Sequence, residues 1–291
     1  VVELRVTDSP YTKGIVTPLR FIVLYVPPAQ RTRCVLEVDS ISESLAVHGT
    51  VSGDIFCSAG RGVLLHSSND GEDWHSILPP EYGTRLVRTM SGDLSTALCL
   101  ILDYEMLLIA RAGGMSWERV LSWAREVSHV AVHEQMILVV ADGQVLLSED
   151  LGISWNDITP FIGVTYDDIR IGKDRKLYVW YSQGLWCSDN RGSTWKHIRT
   201  EYGRNYIPDL LVATDGALLI PYGGAMYRST DGGSSWSWHL NREFDTGRLR
   251  RLTETRRGTL FARLDWAIIM RSTDGGEHWE NDSATSDTLP R

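Results

Sequence analysis

Six tryptophans, at positions 74, 117, 155, 195, 236 and 279, recur at intervals of 43, 38, 40, 41 and 43 residues. A fixed period of this length means that one supersecondary unit is copied along the chain, and that no copy buries its apolar face alone. Each tryptophan closes a related octapeptide. Ser148-Glu-Asp150-Leu-Gly152-Ile-Ser154-Trp155 and Ser229-Thr-Asp231-Gly-Gly233-Ser-Ser235-Trp236 are the cleanest, followed by Ser272-Thr-Asp274-Gly-Gly276-Glu-His278-Trp279. Two further copies carry asparagine in the central place: Asn69 with Gly71 and Trp74, and Asn190 with Gly192 and Trp195. The sixth keeps only Gly114, Ser116 and Trp117, with Ala112 where the acid would stand.

An apolar run precedes each octapeptide, as at 144–147 and 225–227, and a β-type run follows the tryptophan, so the motif reads as a hairpin turn. The Asp or Asn oxygen accepts from backbone N–H groups inside the turn, and the glycine supplies a positive φ. The tryptophan is expected to fold back over its hairpin, contributing roughly 2–3 kcal/mol of burial. Exchange of Asp for Asn keeps the acceptor, whereas the Ala112 copy is expected to be the loosest turn. Upstream of each turn lie two more strand-like runs; in the fifth repeat they are 207–213 and 217–221, joined by Thr214-Asp215-Gly216. No long helical period is present. Four short antiparallel strands per repeat predict an all-β chain of propeller blades.

The consensus Ser-x-Asp-x-Gly-x-Thr-Trp resembles the Asp-box, or bacterial neuraminidase repeat, of sialidases, sortilin-type receptors and photosystem assembly factors. The resemblance covers about residues 45–282 and is one of repeat units. It implies a β-propeller of four-stranded antiparallel blades, with the Asp-box turn between the outer two strands. The Asp, Asn, Gly and Trp positions named above are then architectural. An exported, cell-surface or virion-exposed setting is expected ahead of a cytoplasmic one.

Shifting the repeat back by about 41 residues predicts strands near 2–6, 14–18, 22–26 and 34–38. Residues 1–40 are therefore expected to be a degenerate first blade without an Asp-box, 41–282 six Asp-box blades and 283–291 a tail, all in one domain. Seven blades follow; the alternative is six, with the N-terminal strands closing or decorating the ring.

Composition excludes several classes. Cys34, Cys57, Cys99 and Cys187 form no Cys-x-x-Cys pair, which argues against a zinc ribbon, a thioredoxin-like centre or a disulfide-stapled scaffold. No apolar stretch approaches the ~18 residues of a membrane helix. The chain opens Val-Val-Glu-Leu-Arg-Val, with no signal-peptide pattern, and the expectation is either that one was trimmed or that export is not by that route. A net charge of −8 disfavours nucleic acid and anionic lipid as partners. The 29 basic residues include only four lysines, and an excess of arginine suits planar, bidentate anion recognition.

Ligands are expected at the face opposite the Asp-box turns, where each blade's last strand hands over to the next blade's first. Those handovers fall at 79–86, 121–127, 159–170, 199–208 and 240–249. They carry Arg85, Trp123, Arg125, Tyr166, Arg170, Arg204, Tyr206 and Arg248, the candidate binding residues. Aromatic and arginine side chains gathered in loops are what a binding surface uses.

The sialidase resemblance implies an arginine triad gripping a carboxylate, a Tyr–Glu nucleophile pair and an aspartic acid. Its first arginine belongs to an Arg-Ile-Pro motif near the N-terminus; here the similar string is Tyr206-Ile207-Pro208, with tyrosine in the arginine's place. A substrate carboxylate without its cationic clamp is costly to bury. His129 and His133 share a face of a β run about 13 Å apart, too far for one metal. Asp167 and Asp168 would point to opposite faces of an extended strand and make a poor acid/base couple. No catalytic residue, metal or cofactor is assigned. The expected role is a non-enzymatic scaffold for a protein or glycan, with a glycan-binding adhesin or virion component and a sialidase-like hydrolase as alternatives.

Overall fold

The computed structural model describes residues 2–4, 19–24, 33–38, 45–49, 54–59, 61–69, 73–92, 95–111, 116–200, 207–222, 225–240, 249–254, 258–264 and 269–281. By packing, the chain divides into two compact units, Val1–Gln135 and Met136–Arg291.

Among the described residues there are six four-stranded sheets, each an up-and-down series in chain order. After β1 (Val2–Leu4), β2 (Leu19–Leu24) and β3 (Arg33–Val38), the first comprises β4 (Leu45–Gly49), β5 (Ile55–Ala59), β6 (Leu64–Ser67) and β7 (His75–Ser76). The second comprises β8 (Val87–Gly92), β9 (Ala97–Leu102), β10 (Met106–Arg111) and β11 (Trp117–Val120). The third comprises β12 (Val127–His133), β13 (Met136–Ala141), β14 (Gln144–Ser148) and β15 (Asn156–Asp157). In the fourth are β16 (Tyr166–Ile171), β17 (Leu177–Tyr181), β18 (Gly184–Ser188) and β19 (Lys196–Ile198). The fifth holds β20 (Leu211–Val212), β21 (Leu218–Tyr222), β22 (Ala225–Ser229) and β23 (Ser237–Leu240). The sixth holds β24 (Leu249–Glu254), β25 (Leu260–Leu264), β26 (Ile269–Ser272) and β27 (Glu280–Asn281). Among the described residues the one helical element is a single 3-10 turn, Pro80–Tyr82.

Burial grades across each sheet. Second strands are buried on both faces, as in Ala97–Leu102, Met136–Ala141 and Leu177–Tyr181, so they read as unbroken apolar runs without alternation. In the first unit, Leu98, Leu100 and Leu102 of β9 pack with Phe56, Leu64, Ile77, Leu78, Met90 and Leu108, filling the space between the first two sheets. In the second unit, Tyr178, Trp180 and Leu185 meet Leu218, Ile220 and Trp236, and Leu219 and Met226 meet Leu252, Leu260 and Met270. The last strands are short and polar, with His75, Ser76, Asn156 and Asp157 all exposed.

The N-terminal region departs from the expected seventh blade. Its described strands are β1 (Val2–Leu4), β2 (Leu19–Leu24) and β3 (Arg33–Val38), in the order β1-β3-β2. β1 runs parallel to β3, with Val2 opposite Cys34, which an up-and-down antiparallel blade does not allow. Six four-stranded sheets, the alternative count, is what the structure shows. In the fifth sheet the first strand is also shorter than the run suggested, β20 covering two residues.

Candidate functional site

In an up-and-down sheet, successive turns alternate between the two ends of the strands. The turn between strands three and four, which holds the octapeptide, therefore lies at the end opposite the turn between strands two and three. Its chemistry is internal. Asp150 Oδ1 accepts from the Ser148 hydroxyl at 2.8 Å and from the backbone N–H groups of Ile153 and Ser154 at 3.1 and 2.9 Å, while Oδ2 accepts from the Ser154 hydroxyl at 2.6 Å. These donors, Ser154 foremost, pull the Asp150 pKa down to about 2. Asp231 follows the same pattern with Ser235. At Asn190 the oxygen still accepts from Thr194 N–H and the Ser188 hydroxyl, and the amide donates to Thr194 Oγ1 instead of accepting from it. Asn69 repeats this arrangement with Asp73. Gly71, Gly114 and Ala112 lie outside the described residues.

The turn needs more than one left-handed residue. Leu151 and Gly152 both have positive φ (58° and 83°), as do Arg191 and Gly192. The glycine answers a second constraint: a Cβ on Gly233 would come within 2.3 Å of Ile198 Cγ2, in the preceding sheet. The tryptophans also do more than expected. Trp155 and Trp279 fold back locally, donating to Gly152 O and Gly276 O. Trp117, Trp195 and Trp236 instead reach the preceding sheet's last segment, donating to Ile77 O, Ile158 O and Arg199 O at 2.9, 3.3 and 2.9 Å. Asp274, Glu277 and His278 could bring three ligand atoms within 4.8 Å of one another, but all are exposed and the Asp274 oxygens already serve the turn.

At the other end of the first unit, four connections meet. Gly62, at φ +72°, donates to Arg85 O at 2.7 Å, and any Cβ there would strike Gly83 O. Arg61 donates to Thr84 O at 3.2 Å. Arg85 bridges Asp103 (3.2 Å) and Glu105 (2.8 Å), and the Asp103 carboxylate also accepts from Leu86 N–H. The turn 103–105 is then tied to the next connection, Val127 N–H donating to Tyr104 O at 2.7 Å. The result is a surface on which Tyr104 and Trp123 stay 46% and 57% exposed, two of five large apolar side chains so exposed among the described residues. Arg125, beside Trp123, is exposed as well.

Sequence reasoning passed over two residues here, Arg88 and Tyr104. Arg88 sits where the β8–β9 register shifts between Val87 and Thr89, a bulge that takes it out of strand alternation. Its guanidinium lies 5.1 Å from the centre of the Tyr104 ring. The bulge recurs at the same place in β16, at Asp167, and in β24, at Arg250. Asp167 therefore does not alternate with Asp168 as an extended strand would require. The sequence signal for Tyr104 was the turn Leu-Asp-Tyr-Glu, which has no glycine; Asp103 and Tyr104 both adopt positive φ, 51° and 61°.

The second unit uses its candidates differently. Tyr166 is buried, its hydroxyl donating to Phe161 O at 2.9 Å, and burial pushes the phenol up to about 12. Arg170 donates to Asp168 at 2.6 Å and to Asp209 at 3.0 Å, and its guanidinium lies over Trp180. Asp209, 4% exposed, also accepts from Leu210 N–H and from Leu252 N–H at 3.0 and 2.7 Å. Tyr166 and Arg170 thus hold the fold together and offer a partner little. Arg204, Tyr206 and Arg248 fall outside the described residues, so the eight candidates resolve into Arg85, Trp123 and Arg125 on one surface, two internal residues and three without a described place.

Scanned against protein-family models the chain matches none, and no curated protein matches its sequence. Solved structures do match. YCF48 from Cyanidioschyzon merolae is 14% identical over 84% of this chain and 87% of its own, with a TM-score of 0.63. YCF48 bound to D1 peptide is 14% identical over 83% of each chain, at 0.64. Virginiamycin B lyase from Staphylococcus aureus is 12% identical over 81% of this chain and 82% of its own, at 0.63. A peptide-bound protein and a lyase share this architecture at equal distance, so what the likenesses show is the fold alone: the chain is a β-propeller of four-stranded antiparallel blades.

Proposed function

We propose that this protein is a non-enzymatic binding or assembly scaffold whose octapeptides are Asp-boxes and whose partner is another protein. The carrying observation is the surface formed by the 61–62, 79–86, 103–105 and 121–126 connections, where exposed Tyr104 and Trp123 stand among Arg61, Arg85 and Arg125. Aromatic and arginine side chains on a rigid frame are the usual anchors of a protein interface. The D1 peptide held by one structural neighbour supports the same use of the fold. Exposed aromatic faces also suit a sugar ring, which keeps a glycan partner as the second reading.

The test is formation of a stoichiometric complex, isolated by cross-linking and size exclusion from the source cell. It should be lost when Tyr104 and Trp123 are both replaced by alanine while unfolding remains unchanged. Survival of the complex in that variant, or turnover of a fluorogenic sialoside by the wild type, would overturn the proposal.

A further inference from the structure

We infer that Arg88 and Tyr104 form a receptor for a single carboxylate presented by an acidic segment of the partner; the inference rests on the scaffold reading and specifies its chemistry. Arg88 is half-buried, its Nε is shielded from solvent with no acceptor, and among the described residues its guanidinium makes no hydrogen bond or ion pair. Among the described residues it stands over the Tyr104 ring. A partly desolvated cation without an anion is costly, and the same protein avoids that cost elsewhere. Arg85 is held by two carboxylates and so is Arg170. The two carboxylates that flank Tyr104, Asp103 and Glu105, do not serve Arg88, since both are engaged by Arg85.

Tyr104 is the second, independent observation. A bulky residue at φ +61° is strained, and the turn between β13 and β14 meets the same demand with Asp142-Gly143. Here the strained turn is held from three sides, by Arg85 and Leu86 N–H on Asp103 and by Val127 N–H on Tyr104 O. The effect is to keep an aromatic ring under a guanidinium at the surface. Asp103 and Glu105 are both taken up by Arg85, and Arg88 stands over the ring between them. The single charge of Arg88 suits a monoanion; a phosphate dianion would also meet the carboxylates of Asp103 and Glu105 on either side of Tyr104. A carboxylate forked onto Arg88, with an apolar neighbour against Tyr104 and Trp123, fits the charge and the surface.

The test uses the full-length protein, 15N-labelled, and follows the arginine Nε–Hε resonance that disappears in Arg88→Gln. Acetyl-Ser-Phe-Glu-Phe-Ser-amide presents a side-chain carboxylate, acetyl-Ser-Gly-Phe-Phe a terminal one, and acetyl-Ser-Phe-Gln-Phe-Ser-amide none. The expected result is a saturable downfield shift with one or both acidic peptides, and at least tenfold weaker binding of the neutral one, about 1.4 kcal/mol. Whichever acidic peptide binds more tightly identifies the source of the carboxylate. Arg88→Gln should weaken that peptide, read from backbone amide shifts, by at least tenfold. Tyr104→Gly relieves the strained φ, so it should fold at least as well as the wild type and still lose the peptide. Equal binding by all three peptides, no shift up to about 10 mM, or unchanged affinity in Arg88→Gln would overturn the inference. So would a shift seen only with a phosphoserine peptide or with 3′-sialyllactose, the latter pointing to a glycan acid. A partner complex that forms equally well with wild type and Arg88→Gln would sink this inference and leave the scaffold standing.

Discussion

Replacing Asp209 by alanine probes the buried polar network of the second unit. Its carboxylate is 4% exposed and joins three segments: it accepts from Arg170 of β16 at 3.0 Å, from its own neighbour Leu210 N–H at 3.0 Å, and from Leu252 N–H of β24 at 2.7 Å. Truncation orphans the buried Leu252 N–H, at about 1–3 kcal/mol. Removing one partner of a buried ion pair typically costs about 3–5 kcal/mol. Arg170 keeps Asp168 at 2.6 Å and the Ile169 carbonyl at 2.8 Å, so its charge is not stranded and the two costs do not add in full. The expected loss is about 3–4 kcal/mol, and with a urea m-value near 2 kcal/mol/M for a unit of this size the midpoint falls by about 1.5–2 M. Asp209→Asn keeps one acceptor oxygen without the charge and should lose about 2 kcal/mol. Urea titration gives the energies, and amide exchange at Leu252, faster in the alanine variant than in the asparagine variant, localises them. A loss below about 1 kcal/mol in the alanine variant, or equal losses in both, would refute the reasoning.

Other consequences are equally concrete. Asp150 is held near pKa 2 by the Ser154 and Ser148 donors, so its folded value lies below the unfolded one, about 3.9. Its stabilising effect is present above pH 4 and fades as pH falls through 2; Asp150→Asn should keep the turn, as Asn190 does, and flatten that part of the acid-unfolding curve. Gly233→Ala combines a φ of +87° with a Cβ 2.3 Å from Ile198, and should destabilise by about 2–4 kcal/mol in thermal or urea melts, a loss under 1 refuting the clash. Burial raises the Cys99 thiol far above its usual range and Cys187 to about 11, so both should resist iodoacetamide at pH 8 until urea is added, as peptide mass mapping would show.

The repeat was legible because the described copies share one turn, in which Ser and Asp or Asn answer local demands while Gly and several of the Trp also answer demands from the preceding sheet. Second strands such as Met136–Ala141 were legible for the same reason: cover on both faces leaves no polar position. The N-terminal sheet was not, because the parallel pairing of β1 with β3 joins segments some thirty residues apart and leaves no mark on either. Tyr166 and Arg170 were misplaced because their partners are set by packing; Asp209, which claims Arg170, lies 39 residues away. Arg88 and Tyr104 escaped notice because a bulge breaks the two-residue period that would have assigned a face, and because the turn that carries Tyr104 lacks its glycine.

The tryptophans that donate backwards give the chain a direction. Trp195 finds its acceptor at Ile158 and Trp236 at Arg199, each 37 residues earlier. During synthesis the receiving carbonyl has left the ribosome before the indole that will seek it, so at these junctions the later module adds the last bond to the earlier one. The dependence is one-way. Excising a whole period between equivalent turns would leave a backward-donating tryptophan an earlier carbonyl of the same kind, and would leave Trp155 or Trp279 its own turn, whereas a cut within a period would strand a donor. Lengthening or shortening such a chain by complete modules is therefore the change its wiring tolerates best.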